Sequence, residues 1–161
     1  MTRFFPILLL LILPLSALAQ VRTTATQTIS LEIRPVALLE VSGDPQPMHI
    51  AAGQAGLNTL DVFEESSTSY RLTTNASNMK LSVAIDEPVP GGTRLYIEMA
   101  GTTGTSAGKV EISNALSPVD AVIGIDKSWG SDQSIVYTFE ADADRQAMNA
   151  QSRTIILTLT N

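Results

Sequence analysis

Chemistry in this chain has few places to start. His49 is the only histidine and cysteine is absent. Thiolate nucleophiles, disulfides, zinc knuckles and thioether haem attachment are therefore excluded. His49 stands in the run Met48-His49-Ile50, between Pro47 and a glycine-rich stretch. No G-x-S-x-G elbow supplies a serine for it to activate, so it reads as an outward-facing strand residue. Carboxylates occur close together at Glu64-Glu65, at Asp86-Glu87 and at Asp142 with Asp144. Glycoside hydrolysis needs two carboxyls facing each other across a cleft. Neighbours on a strand point to opposite faces, so these acids are expected to be solvated charges. Asp126, Ser128 and Asp132 bring oxygen ligands to one loop. That loop lacks the repeated acid spacing and closing glutamate of a calcium site, and Lys127 puts a positive charge in its middle. The stretch 101–108 has glycines at 101, 104 and 108 but no following Lys-Ser or Lys-Thr and no helix pattern. It reads as a flexible surface loop rather than a phosphate cradle. Asn75-Ala76-Ser77 satisfies the glycosylation sequon. No cofactor or metal is implied, and the chain is expected not to be an enzyme.

Trp129, the only tryptophan, carries a sharper alternative. Exposed at the tip of a β domain it would be a binding anchor for a ligand or glycan, because tryptophan concentrates in hot spots. Folded back it would cap the open end of a core, and the burial tendency of large aromatics favours that expectation.

The chain's address is read at its start. Arg3 precedes an apolar stretch over 4–15, and Ala17-Leu18-Ala19 forms an A-x-A cleavage site. This is the three-part pattern of a secretory signal over 1–19. The apolar stretch is short of the roughly 20 residues that cross a membrane as a helix. The mature chain 20–161 is expected to be exported to the periplasm, cell surface or medium, without a transmembrane segment. A formal net charge of −6 argues against nucleic-acid binding and against a polybasic membrane surface.

The elements that position these residues follow a period of two. Over 21–41, the odd positions carry Val21, Ala25, Ile29, Leu31, Ile33, Ala37, Leu39 and Val41, and the even positions carry Arg22, Thr24, Thr26, Thr28, Ser30, Glu32 and Arg34. Such alternation puts one set on a core face. The run predicts either one long strand bent at Pro35 or two strands meeting there, since proline cannot donate to a ladder. Alternating runs recur at 79–86, 93–99, 134–141 and 153–160, with shorter candidates at 48–50, 57–63, 69–74, 109–112 and 121–125. Gly- and Pro-rich turn clusters separate them. One stretch, 142–151, leans helical and is expected to give a single turn. The pattern predicts one all-β domain over 20–161, an Ig-like sandwich of about 8–10 antiparallel strands.

The layout resembles that of bacterial exported β-sandwich subunits of the fimbrial and spore-coat type. The matching pieces are a signal, a Thr-rich alternating segment 23–33 (TTATQTISLEI), a β body from Val36, and a closing alternating strand 153–161 (RTIILTLTN). The resemblance implies a structural or adhesive role at the cell surface. Its partners would be other copies of the chain or related subunits. It also implies β-augmentation, in which a neighbour's N-terminal segment fills a groove, with Ile29, Leu31 and Ile33 as the inserting side chains. The unbroken parity from Ile29 to Val41 favours instead a strand paired within its own domain.

Overall fold

The computed structural model describes residues 23–161, so the signal reading at 1–19 lies outside the described residues. The chain divides into two units, Met1–Glu32 and Ile33–Asn161. The described part of the first, 23–32, has neither helix nor strand, and its residues are exposed. No helix among the described residues is long and apolar enough to cross a membrane.

The second unit is all-β. Its strands are β1 (Ala37–Val41), β2 (Phe63–Thr74), β3 (Met79–Ile85), β4 (Thr93–Met99), β5 (Thr105–Ser106), β6 (Lys109–Glu111), β7 (Val119–Ile125), β8 (Ser128–Trp129), β9 (Gln133–Ala141) and β10 (Ile155–Thr160). They form two antiparallel sheets, one in the order β1-β2-β9-β4-β6 with β8 also on β2, the other β10-β3-β7-β5. From β2 to β8 every connection changes sheet, and β9 to β10 changes again. The two layers are thus held together covalently as well as by packing.

Period-two patterning explains the core. In β4, Leu95, Ile97 and Met99 point inward and Tyr96 and Glu98 point out. Ile97 and Met99 meet Leu81, Val83, Ile112, Val122, Ile125 and Ile135 in one buried cluster. Each large side chain buried there contributes about 1.5–3 kcal/mol. Tyr70 crosses the same interior, and its hydroxyl donates to the Ala100 carbonyl. Burial pushes the Tyr70 phenol up to about 12.

Strand β2 meets β9 and β8 through two opposed irregularities. One extra residue lies on β2 between Glu65 and Thr68. The second lies on the opposite chain, because Tyr70 to Thr73 spans three steps while Gln133 to Trp129 spans four. Strands β8 and β9 therefore act as one strand with a bulge at 130–132. The bulges set which faces Glu65 and Trp129 occupy.

Several expectations are corrected. The run 21–41 yields a strand only at Ala37–Val41 among the described residues. Ala37 is already paired with Thr74, the last residue of β2. Because β2 ends at Thr74, the ladder stops at Ala37, and Pro35 has no N–H to extend it. The stretch 48–50 forms no strand, and 57–62 forms only bridges, with Gly53 facing Leu60 and Thr59 facing Asp142. The stretch 142–151, by contrast, holds the single turn expected of it, closed by the Arg145 N–H on the Asp142 carbonyl at 3.0 Å. The glycine-rich stretch 101–108 is not a loose loop. It contains β5, and a Cβ on Gly104 would lie 2.6 Å from the Ile123 carbonyl oxygen, so the backbone packs there without room for a side chain.

Candidate functional site

The two lateral sides of the sandwich are built differently. On one side β5 edges the smaller sheet and β6 the larger, and they are consecutive in the chain. Ala107 and Gly108 bridge the layers, with the Ala107 N–H on the Ala121 carbonyl at 2.8 Å and the Gly108 N–H on the Ser106 hydroxyl at 3.0 Å. Gly108 takes a φ of +75° there, which glycine adopts without steric cost. Ile97, Ile112 and Val122 are fully buried.

On the opposite side, β1 edges the larger sheet and β10 the smaller. These two strands come close to each other but share no ladder. Among the described residues each has a single hydrogen-bonded neighbour strand, β2 for β1 and β3 for β10. Their inward residues Leu39, Ile155, Leu157 and Leu159 pack on the core yet remain only partly buried. Ile156 and Val41 are exposed. An edge strand presents unpaired N–H and C=O groups that can template another strand.

The β10 edge is anchored from its start. Asp86 accepts the Thr154 N–H at 2.9 Å and the Glu87 N–H at 2.9 Å. Its own N–H donates to the Thr154 carbonyl at 3.1 Å. The Thr154 N–H, helped by that of Glu87, holds the Asp86 carboxyl below its ordinary range. Asp120 accepts from the Ser82 hydroxyl at 2.7 Å and pairs with Lys80. Those two donors, Ser82 first, lower its pKa as well.

The entry to β1 is also fixed. Asn75 accepts the Val36 N–H on Oδ1 at 2.7 Å and donates Nδ2–H to the Arg34 carbonyl at 2.9 Å. Its backbone N–H reaches the Val36 carbonyl at 3.3 Å. The carboxamide thus replaces the missing end of β2 and clamps 34–36 around Pro35. The same Asn75 opens the Asn-Ala-Ser sequon, and both ends of its carboxamide are engaged with backbone. An asparagine just past a strand is the signal that points to such a role.

Immediately before this clamp lie the proposed inserting side chains. Ile29 is 72 % exposed, Leu31 92 % and Ile33 90 %. The expectation that this run pairs as a strand within its own domain is overturned, since 23–36 forms no strand. Trp129 is 82 % exposed, which overturns its expected role as a cap on the core. Its neighbour Ser128, opposite the buried Thr74, is the residue that points inward.

The acid pairs fall into different settings. Glu64 is exposed, but Glu65 is buried, with its Oε1 accepting the Ser67 N–H at 2.8 Å. Among the described residues its Oε2 has no hydrogen-bond partner, and nor does the buried Thr68 hydroxyl. The expectation of a solvated charge at 65 fails because the bulge at 66–67 keeps Glu65 and Thr68 on the core face. Glu65 stands opposite Tyr137. Burial, and then the Glu65 and Asp44 charges, push the Tyr137 phenol up to about 12. Asp142 pairs with Arg94 at 2.8 Å, and Glu140 bridges Arg94 at 3.6 Å and Lys109 at 2.9 Å. Asp142 is the main cause of the raised Arg94 pKa. Asp126 accepts the Asn78 N–H at 2.9 Å, so that carboxylate serves a turn. His49 is exposed, with its ring 5.5 Å from that of Phe63. The structure therefore does not bring His49 together with a nucleophile, nor two of the paired acids across a cleft. What it offers instead is a free β edge and an exposed, strand-prone segment. No protein-family model, curated protein or solved structure matches the chain.

Proposed function

We propose that this protein is an exported, non-enzymatic β-sandwich of the Ig-like kind that serves as a subunit of a structural or adhesive assembly at the cell surface. The observation that carries the reading is the state of 23–33. A Thr-rich segment with Ile29, Leu31 and Ile33 on one parity would pair readily, yet all three are exposed and it belongs to no strand. Three large apolar side chains left in water forgo roughly 1.5–3 kcal/mol each. A neighbour's free edge would recover that. The β1–β10 side supplies one, and β10 is its longer strand. In this reading, 23–33 of one copy adds to β10 of the next, with Ile29, Leu31 and Ile33 laid beside the partly buried Ile155, Leu157 and Leu159. Backbone hydrogen bonds give the affinity and the alternating side chains give the register. The signal pattern at 1–19 supplies the route out of the cell.

Sizing of the exported protein tests this reading. Wild-type material is expected to elute as dimers or longer polymers that grow with concentration. The Ile29→Asp/Leu31→Asp variant is expected to elute as a folded monomer. A wild type that stays monomeric at every concentration, or a double variant that still polymerises, would remove the assembly reading.

A further inference from the structure

The outer face of the larger sheet holds a second feature that strand addition does not use. Thr73 is paired on one side with Leu38 and on the other with Trp129. Directly opposed residues share a face, so Leu38, Thr73 and Trp129 form one row across β1, β2 and β8. Leu38 is 61 % exposed, and Thr73 is open beside it. One row along, Glu40 faces Arg71 and pairs with it at 2.7 Å. Asp132 also lies near enough to act on the Arg71 charge.

The size and rim of this patch decide what fits it. The indole and the leucine together expose about 300 Å² of apolar surface. A stable protein interface needs about 800 Å² from each partner, so the patch is too small for a second copy. A membrane surface is disfavoured by Glu40 and Asp132 at the rim and by a net charge of −6. A pyranose ring has an apolar C–H face about as large as an indole, and its edge carries hydroxyls that both donate and accept. Arg71 donates, Glu40 and Asp132 accept, and the Thr73 hydroxyl does both. Apolar contact with a few placed polar groups is the pattern of a small-ligand site.

We propose that Trp129, Thr73 and Leu38, rimmed by Arg71, Glu40 and Asp132, form a platform for a neutral β-linked hexopyranose chain. Linkage that is equatorial at both C1 and C4, as in the β-1,4 chain, keeps such a ligand extended and its ring faces flat, which suits an open sheet. Two rim carboxylates against one guanidinium disfavour an anionic polysaccharide. The site does not depend on assembly. If copies do assemble, each repeats the platform, and weak single sites sum to avidity.

Because Trp129 is the only tryptophan, its fluorescence reports the site alone. Titration of the protein with cellopentaose is expected to shift and saturate that emission with a dissociation constant of about 1 mM, while α-linked maltopentaose leaves it unchanged. Calorimetry on Trp129→Ala is expected to show at least about a tenfold loss of affinity with an unchanged melting temperature, because the ring is exposed. Trp129→Phe is expected to keep most of the binding, and Arg71→Gln to weaken it. An unchanged emission at saturating cellopentaose, an equal response to maltopentaose, or full affinity in Trp129→Ala would each overturn the proposal. So would an emission that follows protein concentration instead of sugar, since that assigns the ring to self-association. The monomeric Ile29→Asp/Leu31→Asp variant should bind as the wild type does, which separates this outcome from that of the assembly reading.

Discussion

The β5–β6 side and the β1–β10 side of the sandwich solve the same problem in opposite ways. Both must cover the flank of a two-layer core. On the first, the chain crosses between layers through Ala107 and Gly108 and finishes the job itself. On the second, two strands from different layers come close without a shared ladder, and Leu39, Leu157 and Leu159 stay partly open. The difference teaches where a self-contained fold ends and where a surface able to accept another strand begins.

The largest effect expected from this contrast is on stability. Ile97→Ala, close to the closed side, should cost about 2–5 kcal/mol in urea denaturation. Leu157→Ala on the open side should cost the dilute monomer less than half of that, because its side chain is only partly buried. The gap should narrow in concentrated samples if a neighbour covers β10. Equal costs in the dilute monomer would erase the distinction between the two sides. Next comes Gly104→Ala, which drives a Cβ to 2.6 Å from the Ile123 carbonyl and 2.7 Å from Ile125 Cγ1. Overpacking of this kind costs about 1–3 kcal/mol, and the melting temperature should fall accordingly. A neutral result would mean that 101–108 moves as freely as its glycine content suggests.

Alkaline pH should strain the interior of both sides. The phenols of Tyr70 and Tyr137 rise from the ordinary 10.0 to about 12 in the folded chain. A raised pKa means the folded state holds the proton longer than the unfolded one. The stabilisation is complete below about pH 10 and is lost as pH climbs through about 12. The loss is roughly 2–3 kcal/mol per tyrosine at most. Tyr70→Phe and Tyr137→Phe should flatten this decline, measured as denaturation midpoints between pH 9 and 12. The opposite slope holds at the acid end, where protonating Asp86 releases Thr154. The protection factor of the Thr154 amide, its exchange rate relative to the intrinsic rate at each pH, should then fall as pH falls through the lowered pKa of Asp86.

Asn75→Ala should give the smallest effect, and the most local. Loss of the clamp on Arg34 and Val36 should speed hydrogen exchange at Val36 with little change in the melting temperature. An unaltered Val36 rate would mean that the approach to β1 is held by something other than this carboxamide.

The strands inside the sandwich were legible because both neighbours of each strand were implicit in its alternation. Thr93–Met99 shows this best, with boundaries and inward residues as the pattern required. The segment 23–36 was misread for the complementary reason. Its parity over 29–33 is as good as that of β4, but parity says only that a segment can pair. Pairing also needs a neighbour, and β2 ends opposite Ala37. Trp129 failed because a two-residue strand has no period to read, and the bulge at 130–132 depends on tertiary register. Glu65 failed through the bulge on β2, which sets Ser66 and Ser67 against one residue of β9 and keeps an acid on the core face. At Ile29, Leu31, Ile33 and Trp129 the exposure was not legible, because it depends on which neighbours the fold supplies and not on the residue's own type or parity.

The central claim is that 23–33 and the β10 edge are two halves of one intermolecular contact. Residue-resolved deuterium exchange at increasing protein concentration tests it most directly. Protection should appear together over 23–33 and at alternate amides of Ile155–Thr160, and should vanish from both in Ile29→Asp/Leu31→Asp while β4 and β9 stay protected. If both regions exchange freely at every concentration, or if 23–33 is already protected in a dilute monomer, the claim is wrong.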